Sequence, residues 1–190
     1  MTHIIFGERF NTSIEESIPS LVTSGCVDTS GRYQGCLPTS ITHLIFGKEF
    51  DQPIQNCIPS SVTHLTFGHY FNQSIDDLPY GIKELTFIGR SGHYVVNSCF
   101  NKPIKSLPSS ITRLVINSAF NKSINGIIPP SVTHLTLGGN FNKSIEYLPP
   151  SVTHLTFGDY YNKDLSKCDL SCVTHLTLGN YFDQGLEGIN

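Results

Sequence analysis

Apolar and polar residues alternate along this chain in short bursts that return at regular intervals. In SVTHLTFG at 61–68, Val62, Leu65 and Phe67 are the apolar positions, and Thr63, His64 and Thr66 stand between them. On an extended chain Leu65 and Phe67 share one face while His64 and Thr66 point the other way, and β-branched Val and Thr favour that conformation. A short strand is therefore predicted, ended by Gly68. The octet recurs unchanged at 151–158, as SVTHLTLG at 131–138 and as CVTHLTLG at 172–179. Looser copies are MTHIIFG at 1–7, SITHLIFG at 40–47, GIKELTFI at 81–88 and SITRLVIN at 110–117, with a badly eroded one, LVTSGCVD, at 21–28.

Aligned on Val22, Ile41, Val62, Ile82, Ile111, Val132, Val152 and Val173, the copies lie 19, 21, 20, 29, 21, 20 and 21 residues apart. With the opening copy this makes nine units. A period near 20 is too short for a pair of helices and sits at the short end of the leucine-rich-repeat range. Between strands runs a second signature: FNQSIDDLP at 71–79, FNKPIKSLP at 100–108, FNKSINGIIP at 120–129 and FNKSIEYLP at 141–149. Its prolines stop any helix after about one turn, so 3₁₀ or irregular backbone is predicted there. The fold class read from this pattern is a solenoid, a leucine-rich-repeat-like array of about nine 20–21-residue units. A parallel β-sheet forms one face and short return segments form the other.

The combination of FNxSI with xxLPxSVTHLTFG resembles the FNIP repeat, a leucine-rich-repeat-like family known from social amoebae and giant viruses of protists. The octet also fits the leucine-rich frame LxxLxL, with Val62, Leu65 and Phe67 in its apolar slots. The resemblance covers essentially the whole chain and implies a single repeat domain over 1–190. In some giant-virus relatives such repeats follow an F-box; here they begin at residue 2, so no ubiquitin-ligase role is expected to carry over.

Three irregularities break the pattern. The unit at 22–38 is degenerate, with Gly25, Gly31-Arg32 and Gly35 at core or Phe-Asn slots. The unit beginning at Ile82 carries an insertion at 88–98, and such insertions map to surface loops that often bind. The last unit, 173–190, stops before its Leu-Pro corner. Solenoids usually carry polar caps, and uncapped parallel edges leave backbone groups unpaired. Association of two chains, a homodimer through a terminal strand edge, is the expectation.

Composition narrows the function classes. The formal net charge of −3 and 14% charged residues give no electrostatic reason for nucleic acid or an anionic membrane. No stretch reads as a signal peptide or reaches membrane-spanning length, so a cytoplasmic location is expected, that of the host cell if the protein is viral. The 12 Phe at fixed intervals read as a packing device, and the Asn that follows most of them reads as an internal hydrogen-bond ladder. That role, together with the cytoplasmic expectation, argues against glycosylation at the sequons of Asn11, Asn72, Asn121 and Asn142. The 6 cysteines are irregularly spaced, and Cys57 and Cys168 fall in core-like slots. Cys168 and Cys172 have a spacing that some zinc sites use, but no second cysteine pair accompanies them.

The candidate chemistry is on the outward face. His3, His43, His64, His134, His154 and His175 share the third octet position. Neighbouring strands are about 4.8 Å apart, so His134, His154 and His175 should form a row of three and His43 and His64 a row of two. Such rows suit either a structural stack or a metal- or pH-responsive array. The structural reading is preferred, because no carboxylate is expected in the column to orient a metal-bound imidazole. At the centre Lys83 and Glu84 replace Thr-His and Arg113 replaces His. Glu84 and Arg113 should form an exposed pair contributing ~0.2–1 kcal/mol. Arg90, His93 and Tyr94 lie in the adjoining insertion, and Arg and Tyr are frequent in binding hot spots. No phosphate loop, nucleophile elbow or zincin motif is present in the sequence. The expectation is a non-enzymatic protein-interaction scaffold with neither cofactor nor metal. It would bind a protein partner through the sheet face and the 88–98 loop.

Overall fold

The computed structural model describes residues 2–14, 37–89, 99–117 and 119–186. Eight short strands form one sheet: β1 His3–Ile5, β2 His43–Ile45, β3 His64–Phe67, β4 Glu84–Phe87, β5 Arg113–Ile116, β6 His134–Leu137, β7 His154–Phe157 and β8 His175–Thr177. Every neighbouring pair is parallel, and strand order in the sheet is chain order. Octet aligns with octet, so that His134 stands opposite His154, and Leu135 opposite Leu155. Among the described residues the strands are connected by turns, bends and stretches without regular structure, Ile14 alone being helical, which matches the irregular return that the prolines predict.

One expectation needs correcting. The array is not nine strands in succession: β1 pairs directly with β2, His3 opposite His43. The eroded copy at 21–28 lies outside the described residues, and no strand separates β1 from β2. In sequence that copy carries Gly25 where the other copies carry Leu or Ile.

Side chains of one type form columns from coil to coil. Val62, Leu65, Phe67, Phe71, Ile75 and Leu78 are buried, and their counterparts in the two neighbouring coils are buried too except Leu107, which is partly buried. The Phe that starts each return segment stacks on the next, Phe120 on Phe141 at 6.3 Å and Phe141 on Tyr161 at 5.9 Å. Within a coil the strand Phe meets the return Phe, Phe67 to Phe71 at 3.8 Å. Cys57 and Cys168 are buried in core slots, whereas Cys172 is exposed. Burial also pushes the Tyr161 hydroxyl pKa up, with the nearby Cys168 and Asp164 adding to the effect.

At every described junction the N–H groups of the second and third octet positions donate to the second-position carbonyl of the preceding coil, and further bonds recur at several junctions. Between the β2 and β3 coils, Thr63 and His64 N–H donate to Thr42 O at 2.8 and 3.0 Å, and Tyr70 N–H donates to Lys48 O at 2.9 Å. Phe46 N–H donates in the opposite sense, to Thr66 O at 2.9 Å. The FN position adds a side-chain ladder. Asp51 N–H donates to Asn11 Oδ1 at 2.8 Å, Asn72 N–H to Asp51 Oδ1 at 2.8 Å and Asn101 N–H to Asn72 Oδ1 at 3.0 Å. It continues through Asn121, Asn142 and Asn162 to Asp183. The ladder expected from the sequence is present along the described array. After β3 the coils approach so closely that a Cβ on Gly68 would clash with the Gly47 carbonyl.

Candidate interaction surface

Parallel sheets are usually covered on both faces. Here the inward face carries the core and the outward one shows Thr and His, half-buried or exposed. Two rows of three stacked imidazoles result. His134 and His154 have ring centroids 4.2 Å apart, as do His154 and His175. His3, His43 and His64 repeat the arrangement at 4.1 Å and 4.1 Å. The first row was expected to hold two rings; His3 joins it because β1 lies directly beside β2.

Threonine fixes each ring. Thr133 Oγ1 is 2.9 Å from His134 Nδ1 and donates its proton to Thr112 O at 3.1 Å. Thr63 does the same between Thr42 O, at 3.2 Å, and His64 Nδ1, at 2.8 Å. A hydroxyl whose proton goes to a carbonyl can only accept from the ring, so Nδ1 carries the N–H and Nε2 is left for solvent or a partner. Stacked rings project their Nε2 atoms side by side rather than toward one point. Among the described residues no cluster of three or more His, Cys, Asp or Glu side chains is arranged to hold a metal ion.

The middle ring of each row feels its neighbours most. The His43 pKa lies below the usual histidine value through desolvation first and then the charges of His64 and His3, with Glu84 opposing. That of His154 is lowered by desolvation, then by His175, His134 and Arg113.

The centre of the face differs from what the sequence suggested. Glu84 stands opposite Arg113 in register and also opposite His64. Its Oε1 lies 3.7 Å from His64 Nε2, and among the described residues no ion pair joins it to Arg113. Thr63 holds the His64 ring with Nε2 toward β4, whereas fixing the long, exposed Arg113 against water costs side-chain entropy. The column therefore sets a carboxylate beside an imidazole, a contact that is an ion pair only when His64 carries both ring protons. Lys83 is exposed beside it, and its carbonyl accepts Thr112 and Arg113 N–H at 2.8 and 3.1 Å. Arg90, His93 and Tyr94 fall outside the described residues; Ile88, at the start of the insertion, is exposed.

A shallow groove of about 160 Å³ runs between the His column and the next outward column, lined by His43, Ile45, His64, Thr66, Glu84 and Thr86 together with Leu65. Sequence reasoning missed it. The available signal was Ile45, which like Ile5 and Val115 stands where most copies have Thr at the fifth octet position.

Comparison with known proteins bears on the whole array. The FNIP Repeat family model matches residues 33–70, 100–140, 120–147 and 141–169, together more than half of the chain. The chain belongs to the FNIP repeat family. Among solved structures this FNIP-repeat chain is similar to one described as the crystal structure of CroV588, a novel circular LRR protein structure, from a giant virus. The TM-score is 0.75 and the identity 37%, over 97% of this chain and 24% of that one. The chain thus spans about a quarter of its structural neighbour's length. No curated protein matches the sequence. Among the described residues no helix is long and apolar enough to cross a membrane.

Proposed function

We propose that this FNIP-repeat chain is a non-enzymatic scaffold that docks a protein partner on the outward sheet face, centred on Glu84 and Arg113. The observation that carries the reading is the break in an otherwise uniform surface. Two imidazole rows flank an acidic and a basic residue, and Arg113 is exposed with no ion pair among the described residues. A regular array supplies the platform and its exceptions supply specificity, because a charge unpaired in the free protein rewards only a partner that pairs it.

The test compares capture from extract of the native host cell by three immobilised chains: the unmodified one, the E84A/R113A double variant, and a control with Lys122→Ala and Lys143→Ala on the return side. The scaffold reading expects a partner on the unmodified chain and the control, with at least a ten-fold loss on the double variant. Equal retention by the double variant, or loss confined to the control, would move the surface elsewhere.

The stacked rings also favour a second reading, a pH-responsive face. Histidine as a residue type gains charge in mildly acidic medium, and positive charge on these rows would weaken docking of a basic partner and strengthen that of an acidic one. Measuring capture of the same partner at pH 7.5 and pH 5.5 separates the two readings: the pH-responsive face expects the captured amount to change, and the first reading expects it to hold.

A further inference from the structure

The strands β1 and β8 each have a single neighbour in the sheet. The coils that carry them therefore keep half of the junction set on their outer sides. Equivalence with the internal junctions identifies the groups. On the β1 coil they are the N–H groups of His3, Arg9 and Asn11 and the carbonyl of Ile5. On the β8 coil they are the carbonyls of Thr174 and Asn180, the Asp183 carboxylate and the Leu178 N–H. Among the described residues no backbone hydrogen bond fills these N–H and carbonyl groups, and the Asp183 carboxylate accepts only from Gln184 of its own coil. Donor faces acceptor at every one of these positions when the β1 coil is laid on the β8 coil in the register used inside the array.

The side chains agree with the backbone. Phe10 and Phe182 stand at the two ends of the aromatic column, each stacked on one inner neighbour, Phe50 at 5.9 Å and Tyr161 at 6.3 Å. Ile4, Phe6, Leu176 and Leu178 are core residues left only partly buried. At the internal junction Asp51 Oδ1 accepts Asn72 N–H and Gln73 Nε2, both at 2.8 Å and both from the next coil. Asp183 Oδ1 accepts only from its own coil's Gln184 Nε2, at 2.8 Å, so the bonds a following coil would make to it are unmade among the described residues.

We propose that a second copy of this chain docks its β1 coil on the β8 coil, head to tail, through the same bonds that join one coil to the next. The contact is heterologous: it leaves each copy with one open end, so association continues until a ring closes or a filament grows. This differs from a homodimer built by pairing like edges, which would stop at two. It is independent of what the sheet face binds.

Two blocked variants test the direction. Arg9→Pro removes an N–H from the outer side of the β1 coil, where proline is a natural edge blocker. Asp183→Lys puts an ammonium where the β8 coil offers a carboxylate. Both positions are exposed, and circular dichroism checks that each variant keeps the unmodified chain's spectrum and melt. The unmodified chain is expected to gain mass with concentration beyond a dimer in sedimentation equilibrium. Each variant alone should remain a monomer, with association at least ten-fold weaker. Their equimolar mixture should give a one-to-one complex and stop. A monomeric mass for the unmodified chain up to millimolar concentration overturns the proposal. So does dimerisation of either variant alone, which would mean like-edge pairing. If a variant fails to fold, the unmodified chain's mass still decides.

Discussion

The side-chain oxygen of Asn121 accepts the N–H of Asn142 at 3.0 Å, at a half-buried position. Removing that acceptor strands a donor, so Asn121→Leu should lower unfolding free energy by about 1–3 kcal/mol in urea titration. Asn121→Asp keeps an acceptor oxygen, and the array itself uses Asp51 and Asp183 in this ladder, so it should be nearly neutral. The ladder was legible because Asn follows the aromatic in unit after unit. The Glu84–His64 contact was harder to see, since Glu84 has two neighbours in register and sequence alone does not say which it faces. Histidine titration follows from the stacks. His43 and His154 have pKa values lowered in the folded chain, so the unfolded state binds more protons in the mildly acidic range. Stability should be fully present above the unfolded histidine value near 6.5 and fall as pH drops through it. The melting temperature should therefore be lower at pH 5.5 than at pH 7.5, with a smaller difference in His154→Gln.

A strand and its return make up each coil, and the coils are held by shape as much as by apolarity. Phe120 is fully buried between Phe100, at 5.8 Å, and Phe141. Phe120→Ala should cost about 3–5 kcal/mol, with Phe120→Leu milder because it refills most of the space. Gly68→Ala adds a single methyl but drives it against the Gly47 carbonyl, and overpacking there should cost about 1–3 kcal/mol or more. Denaturant midpoints check both. Strand position, polarity and facing were legible from Val62, Leu65 and Phe67 because a period of two leaves little choice. The β1–β2 pairing was not. Register between coils follows from like side chains meeting, and a degenerate copy between 7 and 40 offered a false intermediate.

The whole molecule is a run of equivalent junctions, and its architecture was legible for that reason: one repeat, once placed on a strand, dictates every other. What it binds was not legible, because identical coils say nothing about a partner and the informative residues are the few exceptions. The Asn ladder has a hereditary consequence. Each coil receives its neighbour through the same N–H and oxygen positions, so a stretch of gene coding for one coil can be duplicated or lost by misaligned recombination without demanding a new packing solution. Near-identical coding segments promote that misalignment. Lineages carrying this chain should therefore differ first in how many coils they have, while the coil itself stays recognisable.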